Sequence, residues 1–328
     1  DKKRGVMASG LEVGTLTGYI AGSGIVTLMT YLLGSQTMLD WGWRIPFLIA
    51  APIGIIGLYL RTHLEETPAF EAMEKEQEEA KPHVSMKDIL VNHRKPLMVG
   101  MLLVFFYNVV DYTILTYMPS HLSSVLGYGE TKGLLLILIV MFIMIPIVIT
   151  MGYFGDRIGN KRVIQGGLLG IILLSIPSFL LIGSGVNWMV FSGLLILAIF
   201  LASFLGTMPS LLPSLFFTDV RYGALSITYN ISTSLFGGTA PLVVAWFISQ
   251  TGSRMVPAYY LIFASIIGLA VLTYFVKDTS GKSLRGSPPA VQEKHEIPGV
   301  LEDQEEATWW HEEKSKIEER RADTDTVK

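Results

Sequence analysis

Long apolar runs without charge, separated by short segments that hold nearly all the charge, most limit what this chain can fold into. Gly133 to Phe154 is 22 residues with no charged side chain, and Val163 to Ile182 follows almost at once. As a helix, either run crosses roughly 30 Å of hydrocarbon. Backbone polar groups at that depth must be satisfied inside the segment, which favours helices. Half of the 328 residues are hydrophobic and only 16% are charged, and mean hydropathy is +0.47. Such a chain is predicted to be an all-α, polytopic membrane protein.

The same pattern predicts eight spans. They are Val6 to Leu33, Trp41 to about Tyr59, Pro96 to Met118, Gly133 to Phe154, Val163 to Ile182, Trp188 to Phe217, Tyr222 to Ser249 and Pro257 to Val276. In the first span Gly10, Gly14, Gly18 and Gly22 recur every fourth residue, a bare face that permits close approach of another helix. Trp41, Trp43 and Arg44 mark a membrane interface at the start of the second. Pro209 and Pro213 are expected to kink the last third of the sixth. Residues 64–96 form a charged linker, read as a solvated helix, and residues 277–328 a polar tail with Trp309 and Trp310.

Loop charges orient the spans. Lys2, Lys3, Arg4, Arg61, Lys75, Lys81, Lys87, Arg94, Lys95, Arg157, Lys161, Arg162, Arg221 and Lys277 fall on one side of an alternating arrangement. Arg44, Lys132 and Arg254 fall on the other. The positive-inside rule makes the first side cytoplasmic, together with both ends of the chain.

Several classes of function lack support. There is no cysteine, so disulfides and thiolate metal sites are excluded, and the six histidines have no metal-ligand spacing. No Gly-x-x-x-x-Gly-Lys-Ser/Thr loop occurs, so nothing points to ATP or another cofactor. No nucleophile–base pair suggests an intramembrane enzyme, and nothing suggests a nucleic-acid partner. Membrane lipid is an expected partner.

Between the fourth and fifth spans lies Gly152-Tyr-Phe-Gly155-Asp156-Arg157-Ile-Gly159-Asn160-Lys161-Arg162, read as a tight charged loop at the cytoplasmic face. It resembles the loop signature of the major facilitator superfamily, with Asn160 where that family usually has Arg or Lys. The resemblance implies that Asp156 and Arg157, with Gly152, Gly155, Gly159, Lys161 and Arg162, form a latch against a neighbouring helix in one access state. A stop-transfer loop whose charges only set topology is the plainer alternative.

Further stretches narrow the resemblance to the metabolite:H+ symporter group. They are Trp41-Gly-Trp43-Arg44-Ile-Pro46-Phe47-Leu48, Glu66-Thr67-Pro68-Ala69-Phe70, Phe217-Thr218-Asp219-Val220-Arg221-Tyr222, Tyr229-Asn230 and Phe236-Gly237-Gly238-Thr239-Ala240-Pro241. Tyr117-Met118-Pro119-Ser120-His121-Leu122 and Met255-Val256-Pro257-Ala258-Tyr259-Tyr260-Leu261 are most similar to the proline/betaine transporters of that group. The resemblance implies a bacterial plasma-membrane protein of two six-helix halves, here a fragment. Residues 1–63 would be the last two helices of the first half, 64–96 the linker, and 97–276 the whole second half. Four further helices would precede Asp1 and be needed for transport.

Away from span ends, the ionisable residues are Glu12 and Asp111. A carboxyl is costly in hydrocarbon while charged, so both are proton-coupling candidates. Helical spacing puts Tyr107, Asn108, Asp111 and Tyr112 on one face. Ser226, Tyr229, Asn230, Thr233 and Gly237 share another face on the seventh span. Tyr107, Asn108, Tyr112, Tyr229, Asn230 and Thr233 are therefore candidates to line a substrate cavity, although the same pattern serves packing between helices. Rings of Phe105, Tyr107, Tyr112 and Tyr229 suit a quaternary ammonium. The expected function is proton-coupled uptake of a zwitterionic compatible solute such as proline or glycine betaine, in osmoprotection. A symporter for a dicarboxylate or other organic acid and a transport-inactive membrane sensor or scaffold remain alternatives.

Overall fold

The computed structural model describes residues 3–63, 90, 94–216 and 221–276. Most of the linker, the tail with its two tryptophans, and Phe217 to Val220 lie outside the described residues. The chain divides into two compact units, residues 1–17 with the chain from 86 onward, and residues 18–85.

The smaller unit holds the second half of α1 (Arg4–Leu33) and α2 (Arg44–His63). Between them Gly34 takes φ +80°, a conformation only glycine adopts without strain, and the backbone then widens into π-helical turns over Met38–Gly42. The segment Ser35–Gly42 meets Arg44–Leu60 at 58°. The predicted second span is thus bent at its tryptophan pair. Arg44 stacks on the Trp43 ring at 4.5 Å, and Trp43 meets Phe47 edge-on.

The larger unit begins with the first turns of α1 and continues through α3 (Arg94–Asp111), α4 (Glu130–Ile158), α5 (Asn160–Ile182), α6 (Asn187–Leu211), α7 (Arg221–Ser232), α8 (Ala240–Thr251) and α9 (Val256–Phe275). Helix α3 goes on through π-helical turns to Val125, and α7 passes through one at Thr233–Gly237 before α8. Among the described residues seven helices are long and apolar enough to cross a membrane, and the bent pair makes an eighth. That is the helix content of a multi-pass membrane protein.

Hydrocarbon tails give no hydrophobic drive between helices, so close packing carries the association. Helix α6 lies against both α4 and α5, α9 against α5 and α3, and α7 against α3. Small residues bring the backbones together. A Cβ on Gly193 would lie 2.5 Å from the Ser178 carbonyl, and one on Gly268 would strike the Phe106 ring. Phe106 in turn meets Phe204 edge-on at 5.6 Å, both fully buried. At Gly206 a Cβ would meet the Val148 carbonyl at 2.5 Å and the Gly152 amide nitrogen at 2.8 Å. Gly206→Val is therefore expected to destabilise the larger unit by about 1–3 kcal/mol, the usual range for overpacking. Thermal unfolding of the purified protein measures this, and an unchanged midpoint would contradict the tight α4–α6 crossing.

Two sequence expectations are revised. The charged stretch between Phe154 and Val163, expected as a tight loop, is almost wholly helical. Helix α4 runs to Ile158, α5 starts at Asn160, and Gly159 alone turns the chain with φ +101°. A helix end at an interface tolerates Asp156 and Arg157, so charge there did not mark the end of the helix. Among the described residues the face of Gly10, Gly14, Gly18 and Gly22 is open, and a close approach to α1 is made at Gly5. Finally, the seventh span is not one regular helix but α7, a wide turn and α8.

Candidate functional site

At one end of the larger unit the residues expected to form a latch contact three other helices. The Asp156 carboxylate accepts hydrogen bonds from the amides of Gly5 at 2.6 Å and Val6 at 3.0 Å. These are orphan donors of the first turn of α1, where the helix dipole also favours an anion. The Arg4 guanidinium lies within electrostatic reach of Asp156 as well. Contact this close requires the two facing glycines, because a Cβ on Gly152 would lie 2.8 Å from the Gly5 carbonyl, and one on Gly5 would lie 2.8 Å from Asp156 Oδ1.

The remaining latch residues face elsewhere. Gly155 lets Thr207 of α6 pack closely, and buried Asn160 donates to Ser210 of α6 at 2.6 Å. Lys161 donates to the carbonyls of Thr273 at 3.2 Å and Val276 at 2.5 Å, where α9 ends and a cation is favoured. Exposed Arg157 covers the Tyr153 ring, and exposed Arg162 bonds the Ile158 carbonyl. Asp156 and Lys161 thus hold opposite poles of two helices.

A second cluster lies deeper. Glu12 on α1 is only 5% exposed and accepts a hydrogen bond from the Tyr107 hydroxyl at 3.0 Å. One turn further along α3, Asp111 is 6% exposed, and its charge and that of Glu12 act on each other. No hydrogen bond reaches Asp111 from the described residues. Tyr229 of α7 reaches the Tyr107 hydroxyl from the other side. Asn108 donates to Thr233 Oγ1 at 3.1 Å, and the Tyr112 ring packs on the backbone of Gly237.

On this α3 face Tyr107 meets both Glu12 of α1 and Tyr229 of α7, while Asn108 and Tyr112 contact the wide turn after α7. Asn230 is exposed and bonds the Ser226 carbonyl of its own helix, apart from the carboxyls. Phe105 packs edge-on against Phe236 at 4.7 Å, the bland role of an aromatic residue. Sequence reasoning did not find the Gly5–Gly152 crossing, the Asn160–Ser210 bond or the seat of Tyr112 on Gly237. Each joins residues far apart in the chain, and isolated glycines are the only hint of two of them.

Comparison with known proteins agrees with this architecture. The Major Facilitator Superfamily pattern matches residues 1–237. The chain is 41% identical over 310 residues to a putative proline/betaine transporter of Staphylococcus aureus (strain COL), covering 94% of this chain and 66% of that protein. It is 42% identical over 310 residues to the glycine betaine/proline/ectoine/pipecolic acid transporter OusA of Dickeya dadantii, covering 92% of this chain and 62% of that one. A proline/betaine transporter of Salmonella typhimurium is 42% identical over 308 residues, with 92% of this chain and 61% of the relative covered. The chain thus spans somewhat under two thirds of the length of these relatives. Among solved structures, a D-xylose-proton symporter superposes with a TM-score of 0.55 at 19% identity, over 80% of this chain and 62% of that one, a likeness of fold. With the family pattern matched over most of its length and the helices packed as described, this chain belongs to the Major Facilitator Superfamily.

Proposed function

We propose that this protein serves as a secondary transporter in a bacterial plasma membrane, bringing in a zwitterionic compatible solute such as proline or glycine betaine with a proton. Uptake of this kind raises internal osmolyte under hyperosmotic stress. The observation that carries the reading is the buried pair Glu12 and Asp111, set among tyrosines in spans that hold no Lys or Arg away from their ends. A carboxyl so placed can exchange a proton when water reaches it. The names of the relatives support the substrate class. A dicarboxylate would call for a buried Lys or Arg, and the described spans hold none away from their ends.

Uptake of labelled glycine betaine by cells expressing the protein tests this. Uptake is expected to rise with external osmolality and to collapse with a protonophore. Uptake indifferent to the protonophore, or selective for a dicarboxylate, would sink the reading.

The proposal extends to organisation. Residues 1–63 act as closing helices of one half, 64–96 as a cytoplasmic linker, 97–276 as a six-helix half and 277–328 as a cytoplasmic tail. Ser184 sits exposed in the turn between α5 and α6, and the chain has no cysteine. Ser184→Cys is expected to react with an impermeant maleimide added outside intact cells. Labelling only after lysis would invert the topology.

A further inference from the structure

We propose that Glu12 and Asp111 hold one proton between them, and that the single negative charge left, walled by Tyr107, Tyr112 and Tyr229, binds a substituted ammonium group. This assigns the cationic end of the solute to the same cluster as the proton, and it rests on the symport reading above.

Both carboxyls are more than nine-tenths buried and act on each other electrostatically. The groups that face them are Glu12 from α1, Tyr107, Asp111 and Tyr112 from α3, and Tyr229 from α7. No cation is among them. Two like charges in such a setting do not both persist, so the pair titrates as a unit and keeps a proton. Glu12 is already fixed by the Tyr107 hydroxyl. Asp111, without a hydrogen bond from any described residue, is a buried carboxyl still open to a partner.

The chemistry of the walls selects that partner. Among the described residues no group of three or more His, Cys, Asp and Glu side chains comes together, so a hard metal cation would lack ligands. Tyr229 is 42% exposed beside the buried acids, and Tyr112 is half-buried one residue from Asp111. Tyrosine faces attract quaternary and secondary ammonium groups. A quaternary cation donates no hydrogen bond, so the charge of the acid pair and the tyrosine faces suffice to hold it. When water enters from the cytoplasm, the bound proton can leave from the carboxyl that held it and the ammonium from the one that stayed charged.

The pair predicts an uncommon mutational pattern. With either acid made neutral, the other stays charged without needing to hold a proton, and cation binding survives. The probe is labelled tetramethylammonium, measured by equilibrium dialysis on the purified full chain in lipid nanodiscs. Glu12→Gln and Asp111→Asn are each expected to bind within about threefold of the parent, and the double variant about 100-fold more weakly, as for removal of a buried charge partner. With tetramethylammonium bound, the infrared band of a protonated carboxyl should be present in the parent and absent in both single variants. Retention of that band in both, or a single variant as weak as the double, or a double variant that binds normally, overturns the proposal. If the double variant does not fold, the infrared comparison of the singles decides alone. Binding is read without transport. A parent that shows this pattern but carries no betaine refutes the transport reading and leaves the site, whereas betaine transport with a normally binding double variant does the reverse.

Discussion

Asp111→Asn is expected to abolish accumulation of solute against its gradient while leaving binding and exchange in place. The change keeps volume and hydrogen-bonding capacity but removes the titrating group. Asp111 takes no hydrogen bond from the described residues, so its replacement strands no protein donor. One pH unit is worth about 1.4 kcal/mol, so a coupled carrier can concentrate its solute up to about tenfold for each unit of gradient. The variant should lose that factor and only equilibrate. Labelled betaine accumulation at a fixed inward proton gradient measures it, beside counterflow exchange at equal pH. Parent-level accumulation by the variant would make Asp111 a structural carboxyl, and coupling would then be sought at Glu12.

The second large effect is expected at the opposite end of the site. Asp156→Asn should slow net uptake without lowering the amount of protein in the membrane. Asp156 accepts from two backbone amides at the start of α1, and an ionised acceptor there is worth more than a neutral one. Charge at a helix N-terminus contributes up to about 2 kcal/mol in partly buried settings. Its loss should shift the balance of access states by roughly 5–30-fold away from the arrangement with α1 held against α4. Cysteine accessibility along α1 reports that balance. Unaltered labelling together with unaltered uptake would remove the latch.

Much of the fold was legible because the bilayer makes length and polarity decisive. Runs such as Gly133 to Phe154 can hardly be other than spanning helices. The breaks were not legible, because they depend on meetings between distant segments. The π-helical turns at Tyr112–Tyr117 and Thr233–Gly237 lie where the Tyr112 ring packs on Gly237, and neither stretch announces the other. Charge misled at Asp156 and Arg157, which looked like loop residues and are the last turn of α4. By resemblance the same residues were expected to form a latch, yet the partners of Asp156, the bare amides of Gly5 and Val6, have no side-chain signature. Glu12 and Asp111 stood out as charges in apolar surroundings. That Tyr107 bonds Glu12 while lying one turn from Asp111 depends on α1 meeting α3 at this point, which no local pattern records.

On the proposed reading, solute and proton move together through the cluster around Asp111. Proteoliposomes carrying the protein and a trapped pH-sensitive dye test it most directly. An inward glycine betaine gradient is predicted to acidify the lumen in step with entry of the label, and Asp111→Asn is predicted to keep betaine exchange while the acidification disappears. Betaine entry by the parent protein with no change in lumenal pH would contradict the account.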